Sequence, residues 1–97
     1  MKRKAEITSV IKTADKKDGG VNLSYTLIKS TGESVSPYGL PQYSIKIELT
    51  DRDGRKTEAS ARDVFVDVGK ALVFFDRMVR NSATPIDLAY VVEDELR

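Results

Sequence analysis

Asp51-Arg52-Asp53-Gly54 and Gly69-Lys70 are the stretches whose residue types and spacing come nearest to recognised chemistry. The first has the paired carboxylates and glycine of a calcium loop. An EF-hand beginning at Asp51 needs glycine at its sixth place and a bidentate glutamate at its twelfth. Those places hold Lys56 and Arg62, so the segment reads as a turn. Gly69-Lys70 resembles the end of a phosphate loop, which also needs an earlier glycine and a following Ser or Thr. Val64 and Ala71 occupy those positions, and no nucleotide cradle results.

The chain contains neither cysteine nor histidine. Thiolate nucleophiles, disulfides, imidazole bases and the usual zinc or haem ligands are removed together. A nucleophilic serine would need lysine or a carboxylate as its base, and no such motif is present. Folding can bring any two carboxylates together for acid–base work, but nothing in the spacing marks a pair. The expectation is a protein that is not an enzyme, with no catalytic residue, metal or cofactor to name.

With 97 residues, 40% of them hydrophobic and 32% charged, the composition fits one globular domain spanning 1–97. No apolar run reaches the length of about 18 residues that a membrane span requires. Met1-Lys2-Arg3-Lys4 looks like the start of a signal peptide, but Ala5, Glu6, Ile7, Thr8 and Ser9 follow without an apolar stretch. A cytoplasmic location is therefore expected. Residues 1–62 carry 12 Lys/Arg against 8 Asp/Glu, and residues 63–97 carry 4 against 7. An imbalance this small suits two layers of one domain better than a charged tail.

The elements that would position any site follow from periodicity. Tyr43, Ile45, Ile47 and Leu49 alternate with polar residues, predicting a strand over about 42–50 with one wet face. Asp51 to Gly54 supplies a type I turn with glycine in the left-handed position, and the return strand covers about 55–66. Val21, Leu23, Tyr25 and Leu27 predict a strand over about 21–28, and a weaker one covers 5–12 through Ile7, Val10 and Ile11. Asp15 to Gly20 reads as a polar hairpin loop. Residues 29–41 hold Gly32, Pro37, Gly39 and Pro41 without a sustained period, which makes them the one candidate functional loop.

From Val68 the period becomes helical. Ala71, Leu72, Phe75, Met78 and Val79 form a stripe over about 67–81, with Asp67 as N-cap and Phe74 at the stripe's edge. A second helix over 84–96 begins with Thr84 as N-cap, Pro85 at the first position and Asp87 completing a carboxylate capping box. Leu88, Val92 and Leu96 are its expected core stripe. Only Asn81, Ser82 and Ala83 separate the helices, so they should be antiparallel neighbours. The predicted fold is α+β: a four-stranded antiparallel meander with two C-terminal helices on one face.

Tyr38-Gly39-Leu40 leading into an alternating strand, then a helix, then Thr84 to Leu96 (TPIDLAYVVEDEL), resembles a family of small uncharacterised bacterial proteins found chiefly in clostridia. The likeness covers about the last two-thirds of the chain. It implies a bacterial cytoplasmic domain and transfers no activity and no site residue.

Binding is the remaining role. Glu93, Asp94 and Glu95 end a helix whose macrodipole disfavours carboxylates there by roughly 0.3–1 kcal/mol each. Either a basic neighbour such as Lys2, Arg3 and Lys4 neutralises them, or a partner does. The expected protein-docking residues are this acidic trio, the apolar edge at Val73 and Phe74, and Tyr38 in the 29–41 loop, with self-association as one form of docking. The alternative is weak nucleic-acid binding through Arg52, Arg55, Lys56 and Arg62, with Tyr25, Tyr38 or Tyr43 to stack on bases. A small-molecule binding domain is a third possibility.

Overall fold

Alternation of apolar and polar residues carries directly into the two central strands, β2 (Val21–Thr31) and β3 (Gln42–Thr50). Leu23, Tyr25 and Leu27 of β2 and Tyr43, Ile45 and Ile47 of β3 point to one side and are buried. The computed structural model describes residues 7–32 and 39–96. In it, β1 (Ile7–Asp18) and β4 (Lys56–Phe65) flank the central pair in the order β1-β2-β3-β4, each strand antiparallel to the next. Helices α1 (Val68–Arg80) and α2 (Pro85–Leu96) follow. The expected α+β meander is the fold observed.

Two hairpins depend on local chemistry. Gly19 and Gly20 form a two-residue turn with φ of 61° and 86°, the left-handed conformation that a type I′ hairpin requires. Asp51 Oδ1 accepts from the backbone N–H of Asp53 and of Arg55, both at 2.9 Å, and Gly54 sits at φ 83°. The turns lie side by side, because Arg52 Nη2 donates to the Gly19 carbonyl at 3.0 Å.

β1 departs from expectation. It runs to Asp18, so residues expected to form a loop are strand, and Ile7, Val10 and Ile11 are exposed rather than forming its buried face. For Val10 and Ile11 the cause is a bulge: Val10 pairs with Ile28 and Lys12 with Leu27, leaving Ile11 inserted. Beyond it Lys12, Ala14 and Lys16 stand opposite Leu27, Tyr25 and Leu23 and so point toward the helices. The connection after β2 is shorter than predicted, since β2 continues to Thr31.

A wider irregularity bends β4. Tyr43 pairs with Phe65 and Ile45 with Ala61, so Arg62, Asp63 and Val64 all stand opposite Ser44. Asp63 adopts φ 55°, and its N–H donates to Ser44 Oγ at 2.9 Å. This directs Phe65 into the core, where its ring meets Phe74 with centroids 5.2 Å apart.

The helices close that core. Asp67 caps α1, its carboxylate accepting from Gly69 N at 2.7 Å and Lys70 N at 3.3 Å. Ala71, Phe74, Phe75 and Met78 face the sheet. The end of α1 is a Schellman motif: Ala83 N donates to Met78 O, Ser82 N donates to Val79 O, and Ser82 takes φ 53°. At the start of α2, Asp87 Oδ2 accepts from Thr84 N at 3.0 Å and from Thr84 Oγ1 at 2.9 Å. The carboxylate half of the predicted capping box is present. Leu88 is buried and Val91 and Val92 pack partly against the core.

Candidate functional site

Three surfaces are left for function: the uncovered face of the sheet, the turn between β3 and β4, and the outer side of the helices.

The uncovered sheet face is largely polar, because strand alternation places every second residue there, with Val10 and Ile28 as an apolar pair at one end. Strand registers align these side chains in cross-strand rows. Lys17, Asn22, Thr50 and Lys56 form one row, Asp15, Ser24, Glu48 and Glu58 the next, and Thr13, Thr26, Lys46 and Ser60 a third. The charges answer one another. Lys46 Nζ lies 3.2 Å from Glu48 and 3.4 Å from Glu58, and hydrogen bonds to these carboxylates hold its ammonium above the usual lysine range. Ser24 Oγ donates to Asp15 at 2.8 Å. Two shallow clefts of about 480 and 280 Å³ indent this face, the larger lined by Asp15, Lys17, Asn22, Glu48 and Lys56.

The basic residues nominated for nucleic acid do not form one patch. Arg52 is committed to the neighbouring turn through Gly19. Arg55 shares the Asp51 turn, while Lys56 and Arg62 lie on β4 with Glu58 between them. Six residue steps along the strand separate those two by about 20 Å. Tyr25 and Tyr43 are buried in the core and offer no face to stack on a base, and Tyr38 lies outside the described residues.

The outer helix surface gathers most of the other nominated residues. Val73 is 65% exposed, as a docking contact requires, whereas Phe74 is 0% exposed. Phe74 is therefore corrected from surface edge to core: it lies against Phe65, with the Arg77 guanidinium 5.7 Å from its ring centre. Glu93 and Asp94 are exposed, and Glu95 is half-buried and accepts from Arg77 Nη2 at 2.9 Å. The neutralising cation for the acidic end thus comes in part from α1. The basic run Lys2, Arg3 and Lys4, proposed for that task, lies outside the described residues.

Sequence reasoning missed two residues here. Ile86 is 77% and Tyr90 70% exposed, one turn apart on the side of α2 opposite Leu88. Their four-residue spacing, on the helix face opposite the core stripe, is the signal the sequence carries for them. Near the other end, a cleft of about 440 Å³ is lined by Asp67, Gly69, Lys70, Val73 and Glu95. The outer surface as a whole offers apolar knobs with carboxylates on α2 and cations on α1.

Fold and surface together define a small α+β domain with an open antiparallel sheet and an exposed apolar, charged helix layer. By its sequence the chain belongs to the DUF6514 family, a family of unknown function whose model matches residues 4–97. That match extends beyond the last two-thirds on which the resemblance was drawn. Comparison with curated proteins and with solved structures finds no match. Among the described residues no helix is long and apolar enough to cross a membrane.

Proposed function

We propose that this domain is a non-enzymatic, cytoplasmic protein-interaction module that docks its partner on the outer surface of α1 and α2. One observation carries the reading: α2 is apolar on both sides, burying Leu88 while presenting Ile86 and Tyr90 to solvent. A helix with a single buried stripe has no structural use for a second one. Large exposed side chains at i and i+4 are the anchors by which one helix packs on another, and tyrosine is enriched at the centres of interfaces. Glu93 and Asp94 continue the ridge and give it sign.

Nucleic-acid binding is the weaker reading. Lys17, Lys46, Lys56 and Arg62 share the open face, but Asp15, Glu48 and Glu58 alternate with them and blunt the field that would attract phosphates.

A photo-crosslinking residue at Tyr90, compared with one at Ser60 on the open sheet face, tests the proposal in the native cell. Discrete protein adducts from position 90 and none from position 60 are expected. Adducts from position 60 alone would move the site to the sheet and overturn this reading.

A further inference from the structure

Both irregularities of the sheet fall at one level. In β1 the bulge at Ile11 follows Val10, which pairs with Ile28. In β4 the residues Arg62, Asp63 and Val64 stand opposite Ser44, and Ser44 also pairs with Ile28. The row Val10, Ile28, Ser44 therefore has a bulge at each end. Bulges bend a strand, increase its local twist and concentrate beside binding sites. The smaller cleft of the uncovered face, about 280 Å³, lies at this level.

Each strand contributes one hydroxyl to that cleft: Thr8, Ser30, Ser44 and Ser60. Ser30 is only 3% and Ser44 8% exposed, although the helices cover the other side of the sheet. Ser44 Oγ accepts the Asp63 N–H at 2.9 Å and keeps its own proton to donate. Among the described residues no side-chain hydrogen bond engages Thr8, Ser30 or Ser60, and no polar side-chain atom sealed from solvent lacks a partner. The Ser30 hydroxyl accordingly opens on the cleft. A hydroxyl set this deep has lost most of its water and gains from a ligand that bonds it.

We propose that this cleft binds a small, neutral, polyhydroxylated molecule, a polyol or a single sugar ring. The site lies across the sheet from the helices and does not depend on the docking reading. Charge selects the class. Lys46 is already held between Glu48 and Glu58, and with Arg62 at the rim the four formal charges cancel. An anion gains no net attraction there. Hydroxyls donate and accept at once, so a ligand built of them answers the four on the protein without bringing charge.

Geometry agrees with that class. Thr8 and Ser30 stand directly opposite, with Cβ atoms about 5 Å apart, and Ser44 is one diagonal step from Ser30, at about 7 Å. One ring bearing several hydroxyls spans such distances. Ile28, with the exposed Val10 beside it, supplies an apolar surface for the C–H face of the ring. The volume is just below the usual range for ligand pockets, about 300–1,000 Å³, and suits one ring rather than a chain. A ligand of about a dozen non-hydrogen atoms binds with roughly millimolar affinity.

Amide NMR spectra of the whole chain, titrated separately with glycerol, glucose and inositol to about 100 mM, test the inference. Inorganic phosphate is the anionic control. Saturable shifts centred on Ile28, Ser30, Ser44 and Ser60 are expected from at least one polyol and none from phosphate. Ser30→Ala and Ser60→Ala should each weaken that binding by roughly fivefold, the worth of one hydrogen bond. Lys17→Ala, at the far end of the same face, should leave it unchanged. Thermal melting of each variant confirms that the fold is intact. The absence of saturable shifts from all three polyols overturns the inference, and so does a phosphate response at these residues or binding indifferent to both serine variants. Protein adducts from position 90 bear on docking alone, so the two proposals stand or fall separately.

Discussion

Tyr25 Oη donates to the carbonyl of Ala83 at 2.8 Å, so a side chain from the middle of β2 holds the turn joining the two helices. Both residues are buried, and the ring of Tyr25 also meets Phe75 edge-on with centroids 6.4 Å apart. This bond ties the helix pair to the sheet at the point where α1 ends and α2 begins. The outer surface of α1 and α2 inherits its geometry from that tie.

Replacing Tyr25 with Phe keeps the ring and strands the Ala83 carbonyl. Stability should fall by about 1–3 kcal/mol, the cost of an unsatisfied buried acceptor. Burial first, then the charges of Asp18 and Asp87, raise the phenol above its ordinary value of 10.0. The unfolded phenol therefore ionises first. The stability linked to it is complete below about pH 10 and is lost as pH climbs through the folded value. Denaturant titrations at pH 8 and above pH 10 should show a smaller alkaline loss for the variant than for the parent.

Ser82 occupies the left-handed position of the Schellman motif at φ 53°, where a non-glycine residue costs roughly 1–2 kcal/mol. Glycine relieves that strain and returns part of the gain as backbone entropy. Ser82→Gly should raise stability by about 0.5–1 kcal/mol, seen as a melting temperature higher by a few degrees.

Lys16 Nζ reaches from β1 to the last carbonyls of α1, 2.8 Å from Val79 O and 3.3 Å from Arg80 O. A cation there satisfies orphan acceptors and opposes the negative end of the helix. Lys16→Met retains the stem that covers the core and removes the charge. A loss of about 1 kcal/mol is expected, with faster amide exchange over the last turn of α1.

Val73 and Phe74 are neighbours with opposite fates. Phe74→Ala should cost about 3–5 kcal/mol through the cavity it opens, while Val73→Ala should change stability by less than about 0.5 kcal/mol. Denaturation midpoints measured side by side check the pair. Only Val73 can then report on docking without disturbing the fold.

A mixed-sequence oligonucleotide separates the weaker reading from the stronger. Little binding is expected even at low salt, and fluorescence anisotropy measures it directly. Tight binding with a steep salt dependence would restore the open sheet face as the functional surface.

Much of this architecture was written locally. The alternation through Tyr43 to Leu49 gave a strand with one wet face, and Asp51 with Gly54 specified its turn, because period and turn chemistry need only neighbours in the chain. Asp67, Thr84, Pro85 and Asp87 marked the helix starts for the same reason: caps bond within three residues. The absence of cysteine and histidine narrowed the chemistry before any fold was known.

Tertiary structure alone decided what lies across the sheet. β1 carries no buried apolar stripe of its own. Lys12 sits over the Phe75 ring at 5.7 Å and bonds Asp76, contacts between residues more than sixty positions apart. The bulge at Ile11 reversed which of its residues face inward, a one-residue slip that no local pattern records. Phe74 was drawn into the core because the irregularity at Asp63 delivers Phe65 beneath it. Side-chain type and spacing fix the elements, whereas burial depends on which element arrives opposite, and that is settled only when distant segments pack.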